Sequence, residues 1–147
     1  MVKVVLRPVV PEDVDFLYGL SRATMREYVV ETWGRWDERW QEERYRRHFQ
    51  SASCKIIVQE GQNIGVLASR KTETGLVIAS IQLLPKHQGR GSGTCLIDVL
   101  LNEARDEGKR LTLRVLKVND RARQLYERLG FSTVEETATH YLMKAAP

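Results

Sequence analysis

The pattern of hydrophobic and polar positions predicts seven strands and four helices. Short apolar segments with a period of two, bounded by Gly, Pro or Asn, are typical of strands, and apolar residues three or four apart are typical of amphipathic helices. The predicted strands are 2–6, 55–59, 64–69, 76–82, 111–115, 131–134 and 141–143. The predicted helices are 11–30, 37–49, a third that follows the glycines at 89–93 and ends at Gly108, and 120–129.

The stretch Leu76–Ala104 organises this pattern. It begins as a run of Val, Ile and Leu that is long enough for a strand buried on both faces, and Pro85 ends it because proline cannot donate to a sheet ladder. Three glycines follow, and then a long amphipathic helix. The first N–H groups of a helix lack intrahelical partners and favour an anion, and glycines let the backbone approach it closely. The stretch therefore predicts a phosphate-binding turn.

The order of the elements predicts the fold class. Read along the chain, it is β-α-α-β-β-β-α-β-α-β-β, without repeat or linker. Such an order favours one mixed α/β layer structure, with a central, largely antiparallel sheet flanked by helices. At 147 residues, the chain is expected to form a single domain, 1–147.

Composition narrows the function. The net charge of +4 is mild, and basic residues are interleaved with acidic ones, so nucleic acid is not an expected partner. No apolar run approaches the roughly 20 residues of a membrane span, and the first ten residues are too strand-like for a signal peptide, which predicts a cytoplasmic protein without membrane contact. The two cysteines form no metal-binding pattern, and no metal is expected.

Two common phosphate loops do not fit the glycines. A P-loop requires Lys-Ser or Lys-Thr after the last glycine, and none follows here. A dinucleotide-binding turn requires G-x-G-x-x-G, whereas Thr94 stands where the third glycine would fall. The turn from Gln88 to Gly93, QGRGSG, instead resembles the acyl-CoA signature Q/R-x-x-G-x-G/A of the GNAT superfamily of N-acetyltransferases.

A second segment carries the same resemblance. Asn119, Ala122, the pair Leu125-Tyr126 and the pair Gly130-Phe131 are similar to that family's pattern N-x-x-A-x-x-L-Y-x-x-x-G-F. The order of elements is also the family's order, so the resemblance covers nearly the whole chain. It implies an enzyme that moves the acetyl group of acetyl-CoA, its co-substrate, to a primary amine by direct attack in a ternary complex.

The resemblance implies a donor site. The backbone amides that would hold the pyrophosphate are those of Gln88, Gly89, Arg90, Gly91, Ser92, Gly93 and Thr94. Leu83 and Leu84 would bind the pantetheine arm through their backbones, and the N–H of Leu83 would polarise the acetyl carbonyl. A preorganised donor of this kind is typically worth about 3 kcal/mol on an acyl-transfer transition state.

Two further positions have two interpretations each. Tyr126 matches the family's tyrosine that protonates the departing thiolate, or it packs with Leu125 and Leu129 under the sheet. Asn119 matches a residue that contacts CoA in many relatives, yet asparagine is also an ordinary helix cap.

The general base is not evident. Many relatives use a carboxylate on the central strand, but 76–82 contains none, and Gln82 can only orient water or bind substrate. Glu27 is one candidate for the base. Tyr28 and Glu31, on adjacent helix turns, are candidates for binding the substrate, because the resemblance implies an acceptor groove beside this helix. The alternative is that the two acids are solvated surface groups. His140 is another candidate for the base.

Three tryptophans, Trp33, Trp36 and Trp40, lie within eight residues. They predict core packing between helix and sheet, or an aromatic wall of the acceptor pocket.

The sequence does not identify the acceptor, which is either a small-molecule amine or a protein amino group. A homodimer is possible, because dimers are the commonest closed assemblies. A catalytically degenerate acyl-CoA-binding module is the alternative function.

Overall fold

The computed structural model describes residues 3–48 and 54–146, and its elements follow the predicted order. The elements are β1 Val4–Pro8, α1 Val14–Trp33, α2 Glu38–His48, β2 Cys54–Gln59, β3 Gln62–Lys71, β4 Gly75–Leu83, α3 Ser92–Asp106, β5 Arg110–Leu116, α4 Asp120–Arg128, β6 Phe131–Glu136 and β7 His140–Ala145. Short 3-10 turns cover Pro11–Asp13 and Pro85–His87. The predicted mixed α/β class, with a largely antiparallel sheet flanked by helices, is confirmed.

The seven strands form one sheet in the order β1-β2-β3-β4-β5-β7-β6. All neighbouring pairs are antiparallel except β4 and β5, which pair in parallel from Gly75–Arg110 to Ile78–Leu113. Beyond Ile78 and Leu113 both strands continue without pairing to each other. The sheet therefore opens into a cleft at its centre.

Two hydrophobic clusters hold the helices against the sheet. On one face, the amphipathic helix α3 buries Leu96, Ile97, Leu100 and Leu101, and α4 adds Tyr126. On the other face, α1 packs Leu17 and Leu20 against Ile56 of β2 and Val66 of β3. Helices thus cover both faces of the sheet and flank the cleft.

A β-bulge in β4 interrupts the alternation of its side chains, so that residues after the bulge point to the opposite face of the sheet from the one that strict alternation would give. Ala68 of β3 pairs with Ser80, and Ser69 pairs with Ile78, so Ala79 is the extra residue. Ile78 and Ile81 both pack in the α3 cluster although they are three residues apart, which the bulge explains. Because of this shift, Ser80 and Gln82 lie on the α1 side of the sheet.

The predicted ends of several elements were wrong. The strand predicted for 2–6 is instead Val4–Pro8, because β1 is an edge strand that pairs with β2, and an edge strand tolerates proline. The first helix runs to Trp33 and ends at Gly34, whose φ of 88° is left-handed. Predicted elements reached Val2 and Phe49, which lie outside the described residues. Within 3–48 and 54–146, no helix is long and apolar enough to cross a membrane.

Candidate active site

The cleft between β4 and β5 leads into a cavity of about 1010 Å³. One wall is the face of α1 that carries Ser21, Met25, Val29 and Trp33, four residues apart. The opposite wall comes from the end of β5 and from α4, with Ala122 and Tyr126. The cavity therefore reaches from the α1 side of the sheet to the α4 side.

The glycine turn sits where β4 leaves the sheet. Gly89 and Gly91 have φ values of 74° and 86°, a left-handed conformation that other residues rarely adopt. Gly91 is the N-cap of α3 and no side chain caps this helix, whose first backbone bond runs from Cys95 N–H to the Gly91 carbonyl. In the described part of the chain, the amides 89–94 donate to no backbone acceptor outside the helix ladder. Free amides at a helix N-terminus are the geometry that an anion-binding turn requires, and the pyrophosphate site at this turn stays a prediction.

Side chains hold this turn in place. The Ser92 hydroxyl, which is buried, donates to Oε1 of Gln59 on β2 at 3.0 Å. Gln88 donates from Nε2 to the Leu83 carbonyl at 3.0 Å and accepts from Nη1 of Arg121 at 3.2 Å. The Gln88 N–H is taken by the Pro85 carbonyl, at 3.2 Å. Gln88 therefore acts through its side chain as a tether, and the expected role for its backbone amide is not supported.

The backbone of Leu83 faces the cleft. The Leu84 N–H donates to the Ile64 carbonyl at 2.8 Å, and bonded and non-bonded pairs alternate in an antiparallel ladder. Leu83 and Gly65 thus form a non-bonded pair, and the N–H of Leu83 points away from β3, toward the gap beside β5. This geometry leaves the Leu83 N–H available to a ligand.

Leu84 does not offer the same groups. Its N–H is bonded to Ile64, and its carbonyl accepts the N–H of His87 at 2.8 Å in the 3-10 turn. Both backbone groups of Leu84 are therefore engaged within the chain. The expectation that Leu84 binds the pantetheine arm through its backbone is therefore not supported, and the expectation for Leu83 stays a prediction.

Tyr126 packs in the core and also borders the cavity, and its role as a proton donor stays a prediction. The residue is 8% exposed and its ring contacts Phe131 edge to face, with ring centroids 5.9 Å apart, so it is part of the core. It also lines the cavity. Burial raises the pKa of its phenol to about 12, because the charged form would lose hydration. The phenol is therefore protonated throughout the physiological pH range.

Asn119 is a helix cap that also borders the cavity. Its Oδ1 accepts the N–H of Ala122 at 3.2 Å, which satisfies one of the first donors of α4. The side-chain amide nitrogen remains as a possible donor to a ligand. Asn119 thus positions the helix that carries Tyr126.

Gln82 is held by a small polar network on the α1 side. It is buried, accepts from Oγ1 of Thr24 at 3.1 Å and donates from Nε2 to Oγ of Ser80 at 3.0 Å. Both Gln82 and Ser80 line the cavity. The bulge at Ala79 therefore turns Gln82 toward the cavity, and its role in binding substrate stays a prediction.

The candidate base Glu27 does not reach the cavity. The cavity-lining face of α1 includes Met25 and Val29, and Glu27 stands half a turn away from both, exposed to solvent. Glu31 is exposed on the same outer side, and Tyr28 is half-buried but is not a lining residue. None of these three residues lines the cavity, and for Glu27 and Glu31 the helical period of 3.6 explains this, because it turns their side chains outward.

The tryptophans form a wall of the cavity and not a core. Trp33 is 55% exposed and Trp40 is 51% exposed, while Trp36 is half-buried, and all three line the cavity. Gly34 ends α1 between them, so the chain turns and α2 begins beside the opening. The interpretation as core packing was wrong, and the interpretation as a pocket wall agrees with the geometry.

His140 is the imidazole at this site. It begins β7, lines the cavity and lies 6.4 Å from Trp33 between ring centroids. Burial and then the positive charge of Arg114 lower the pKa of His140, which is therefore neutral at pH 7. Its Nδ1 is 2.7 Å from Oγ1 of Thr139. When Nδ1 donates to this hydroxyl, Nε2 is left to accept a proton.

Sequence reasoning missed the arginines of the site. Arg121 lies two residues after Asn119, within the second motif. Because Asn119 was a candidate helix cap, this spacing could have placed Arg121 on the first turn of α4. Arg70 and Arg114 line the cavity from β3 and β5. No periodicity distinguishes them from surface arginines, since only strand pairing brings them together.

Comparisons with known proteins give the chain's family and agree with its fold. The acetyltransferase (GNAT) family is matched by residues 21–131. An uncharacterized N-acetyltransferase YobR from Bacillus subtilis is 38% identical over 68 residues, and a [ribosomal protein bS18]-alanine N-acetyltransferase from Haemophilus influenzae is 26% identical over 85 residues. The matched parts cover 46% and 58% of this chain, but only 27% and 58% of those two proteins.

A solved structure extends the likeness to nearly every residue. The crystal structure of PaiA N-acetyltransferase from Thermoplasma acidophilum, in complex with coenzyme A, superposes with a TM-score of 0.77. The superposition covers 99% of this chain and 99% of that one, at 14% sequence identity. At this identity the likeness concerns the fold.

Proposed function

The chain belongs to the GNAT acetyltransferase family, and we propose that it transfers the acetyl group of acetyl-CoA to a primary amine, of a small molecule or of a protein. The observation that carries this proposal is the pairing of two features at one end of the cleft. The uncapped α3 amides and left-handed glycines 89 and 91 form an anion cradle, and the N–H of Leu83 points into the gap beside it. The cradle suits a pyrophosphate, and the free strand edge suits an extended amide-bearing arm.

The donor site acts mainly through backbone groups. The amides of Gly89, Arg90, Gly91, Ser92, Gly93 and Thr94 would hold the pyrophosphate. Arg121 of α4 donates a hydrogen bond to Gln88 of the glycine turn and adds a positive charge beside these amides. The fit is supported by space, since a Cβ built on Gly91 meets nothing within 4 Å. Backbone donors of this kind are fixed by the fold and need no side-chain ordering when the anion binds.

The reacting centre lies between Leu83 and Tyr126. The amine nitrogen attacks the acetyl carbon, and the Leu83 N–H donates to the carbonyl oxygen as negative charge develops there. As the C–S bond breaks, the Tyr126 hydroxyl donates its proton to the sulfur. A pKa of about 12 keeps that hydroxyl protonated. The same burial disfavours a free thiolate, so proton transfer accompanies the departure of the sulfur.

His140 is the proton acceptor that this geometry favours. Among the described lining residues, the carboxylate is that of Asp37, and it already has two partners. It caps α2 by accepting the Trp40 N–H at 3.0 Å and lies 3.8 Å from Arg35. His140 has a lowered pKa and an Nε2 that can receive the proton of the attacking amine. We assign it this role in place of Glu27.

The degenerate acyl-CoA-binding module is the second candidate, and the lack of a carboxylate on the cavity face of β4 favours it. Release of CoA thiol from acetyl-CoA, measured with a panel of amines and corrected for hydrolysis, separates the two functions. Amine-dependent release supports the transferase. CoA binding by calorimetry without amine-dependent release supports the binding module, and failure to bind CoA would overturn both. A cytoplasmic location and a homodimer remain predictions from the sequence.

A further inference from the structure

The charges that line the cavity are unlike those of the chain as a whole. The chain has 23 Lys and Arg against 19 Asp and Glu. Among the residues that the structure describes, the cavity is lined by four arginines, Arg35, Arg44, Arg70 and Arg114, and by a single carboxylate, that of Asp37. That carboxylate is already paired with Arg35, at 3.8 Å. These four arginines form the basic wall of the cavity.

Three members of the basic wall have no anionic partner in the part of the chain that is described. Arg70 and Arg114 take part in no hydrogen bond or ion pair there, and Arg44 contacts only the Trp40 ring, 5.7 Å from its centroid. Unpaired guanidinium groups beside one cavity raise the local concentration of anions and can each grip a carboxylate or phosphate in two places.

Strand pairing puts Arg70 and Arg114 on one side of the sheet. Arg70 pairs with Val77 of β4, and Arg114 follows Leu113, which pairs with Ile78. On β7, Leu142 lies opposite Arg114, and His140 lies two residues before it on the same face. Arg70 and Arg114 therefore face the α1 side of the sheet, together with the proposed proton acceptor.

These two arginines are too far from the glycine turn to serve its anion. Val77 and Ile78 precede Leu83 by six and five residues, which is about 15 to 20 Å along a strand. The phosphates of the donor are accounted for at the far end of β4 by the α3 amides and Arg121. The basic wall is therefore available to bind the acceptor substrate.

We propose that the acceptor is an amine that also carries an anionic group, a carboxylate or a phosphate, and that the basic wall binds this group while the amine faces Tyr126 and His140. This inference rests on the proposed transferase function and names its substrate class. The carboxylates of Glu27 and Glu31 do not offset the charge of the basic wall, because both residues are outside the cavity. A polyamine would meet like charge instead.

Matched pairs of acceptors test the proposal by kcat/KM for CoA release. Phenylalanine is compared with 2-phenylethylamine, and O-phosphoethanolamine with ethanolamine, so that each pair differs only in the anionic group. We expect a preference of about tenfold or more for the anionic member of at least one pair, and which pair shows it identifies the group. No preference in either pair, or better turnover of 1,4-diaminobutane, would overturn the inference while leaving the transferase intact.

Substitutions in the basic wall test whether its arginines cause the preference for anionic acceptors. Arg114→Gln and Arg70→Gln are expected to lower the anionic-to-neutral ratio about tenfold each. Arg105→Gln, an exposed arginine of α3 outside the cavity, is the matched control and should leave the ratio unchanged. An unchanged ratio in both wall variants would contradict the assignment.

Binding can be measured without turnover, because all three tryptophans of the chain line the cavity. Quenching of tryptophan fluorescence by N-acetylphenylalanine, compared with N-acetyl-2-phenylethylamine, reports occupancy directly. If the carboxylate binds more tightly, and this advantage is reduced in Arg114→Gln, the result supports the basic wall. It does so even if no amine is acetylated, and in that case only the transferase proposal has failed. Equal binding of both compounds counts against the basic wall.

Discussion

Nη1 of Arg121 on α4 donates to Oε1 of Gln88 at 3.2 Å, and Nε2 of Gln88 in turn donates to the Leu83 carbonyl. The first turn of α4 is thereby connected through the glycine turn to the end of β4. These three elements carry the proposed proton donor, the phosphate cradle and the carbonyl-polarising N–H. The hydrogen bonds fix their relative positions, although the residues are up to 38 apart in sequence, from Leu83 to Arg121.

Arg121→Gln is expected to weaken CoA binding about tenfold. It removes a charge beside the phosphate cradle and a charged hydrogen bond to Gln88, together worth about 1.5 kcal/mol. Titration calorimetry with CoA measures the change. Arg128→Gln, at the other end of α4, is the control and should bind as the parent does. Equal affinity of both variants would remove Arg121 from the donor site.

Tyr126→Phe should lower kcat about a hundredfold, because the leaving sulfur loses its proton donor. The phenyl ring keeps the contact with Phe131, so thermal unfolding should change little. Since the pKa of Tyr126 is about 12, the parent should show no loss of activity from its deprotonation between about pH 7 and 10. If the variant turns over at the parental rate across this range, Tyr126 is not the acid.

Gly65→Ala should destabilise the protein by about 2 kcal/mol, as overpacking in a strand does. A Cβ on Gly65 would overlap the backbone carbonyl of Gln82, and β3 would be pushed away from β4 beside Leu83. Gly19→Ala is the control, because its Cβ meets nothing within 4 Å and alanine favours a helix. Urea unfolding should therefore move in opposite directions for the two variants, and a neutral Gly65→Ala would refute the close approach.

Asp13→Asn should cost about 2 kcal/mol of stability at pH 7. Arg7 donates from both terminal nitrogens to Asp13, at 2.8 and 2.7 Å, and this lowers the pKa of the buried carboxyl. The folded pKa lies below the unfolded one. The stabilisation is therefore present above the unfolded value and is lost as pH falls through the folded value. Urea unfolding at pH 7 and below pH 4 should show a difference between parent and variant that shrinks on acidification.

Arg114→Gln should raise the pKa of His140, because a positive charge that opposes protonation is removed. The burial of His140, the larger cause, remains, so part of the depression should persist. Proton NMR titration of the ligand-free protein measures the shift, and the acidic limb of the kcat/KM profile should move to higher pH with it. An acidic limb that stays in place while the NMR titration moves would show that another group accepts the proton.

The donor half of the site could be predicted from the sequence, and the acceptor half could not. The donor half depends on contiguous residues, 83–94, whose glycines and proline fix the local backbone. Asn119 and Tyr126 follow from spacing along one helix. The acceptor half depends on packing between distant elements. Periodicity places Glu27 and Trp33 on α1 but cannot say which face the sheet covers, and the exposed tryptophans were therefore misread as possible core.

The bulge at Ala79 was also beyond sequence reasoning, because strict alternation along 76–82 would put Ser80 in the α3 cluster with Ile78. Nothing local in a run of apolar residues marks where the alternation breaks. The break is set by the pairing with β3. The prediction that Gln82 faces substrate came from the family resemblance and not from alternation.

The same bulge constrains how the protein can evolve. Substitutions in β4 change one side chain at a time, but an insertion or deletion of one residue between Ile78 and Ser80 would move Ile81 and Leu83 into the cleft and bury Ser80 and Gln82 in the α3 core. Lineages that descend from this chain can therefore diversify the acceptor cavity by point mutation on α1, α2 and β5. The length of β4 should remain fixed while they do so.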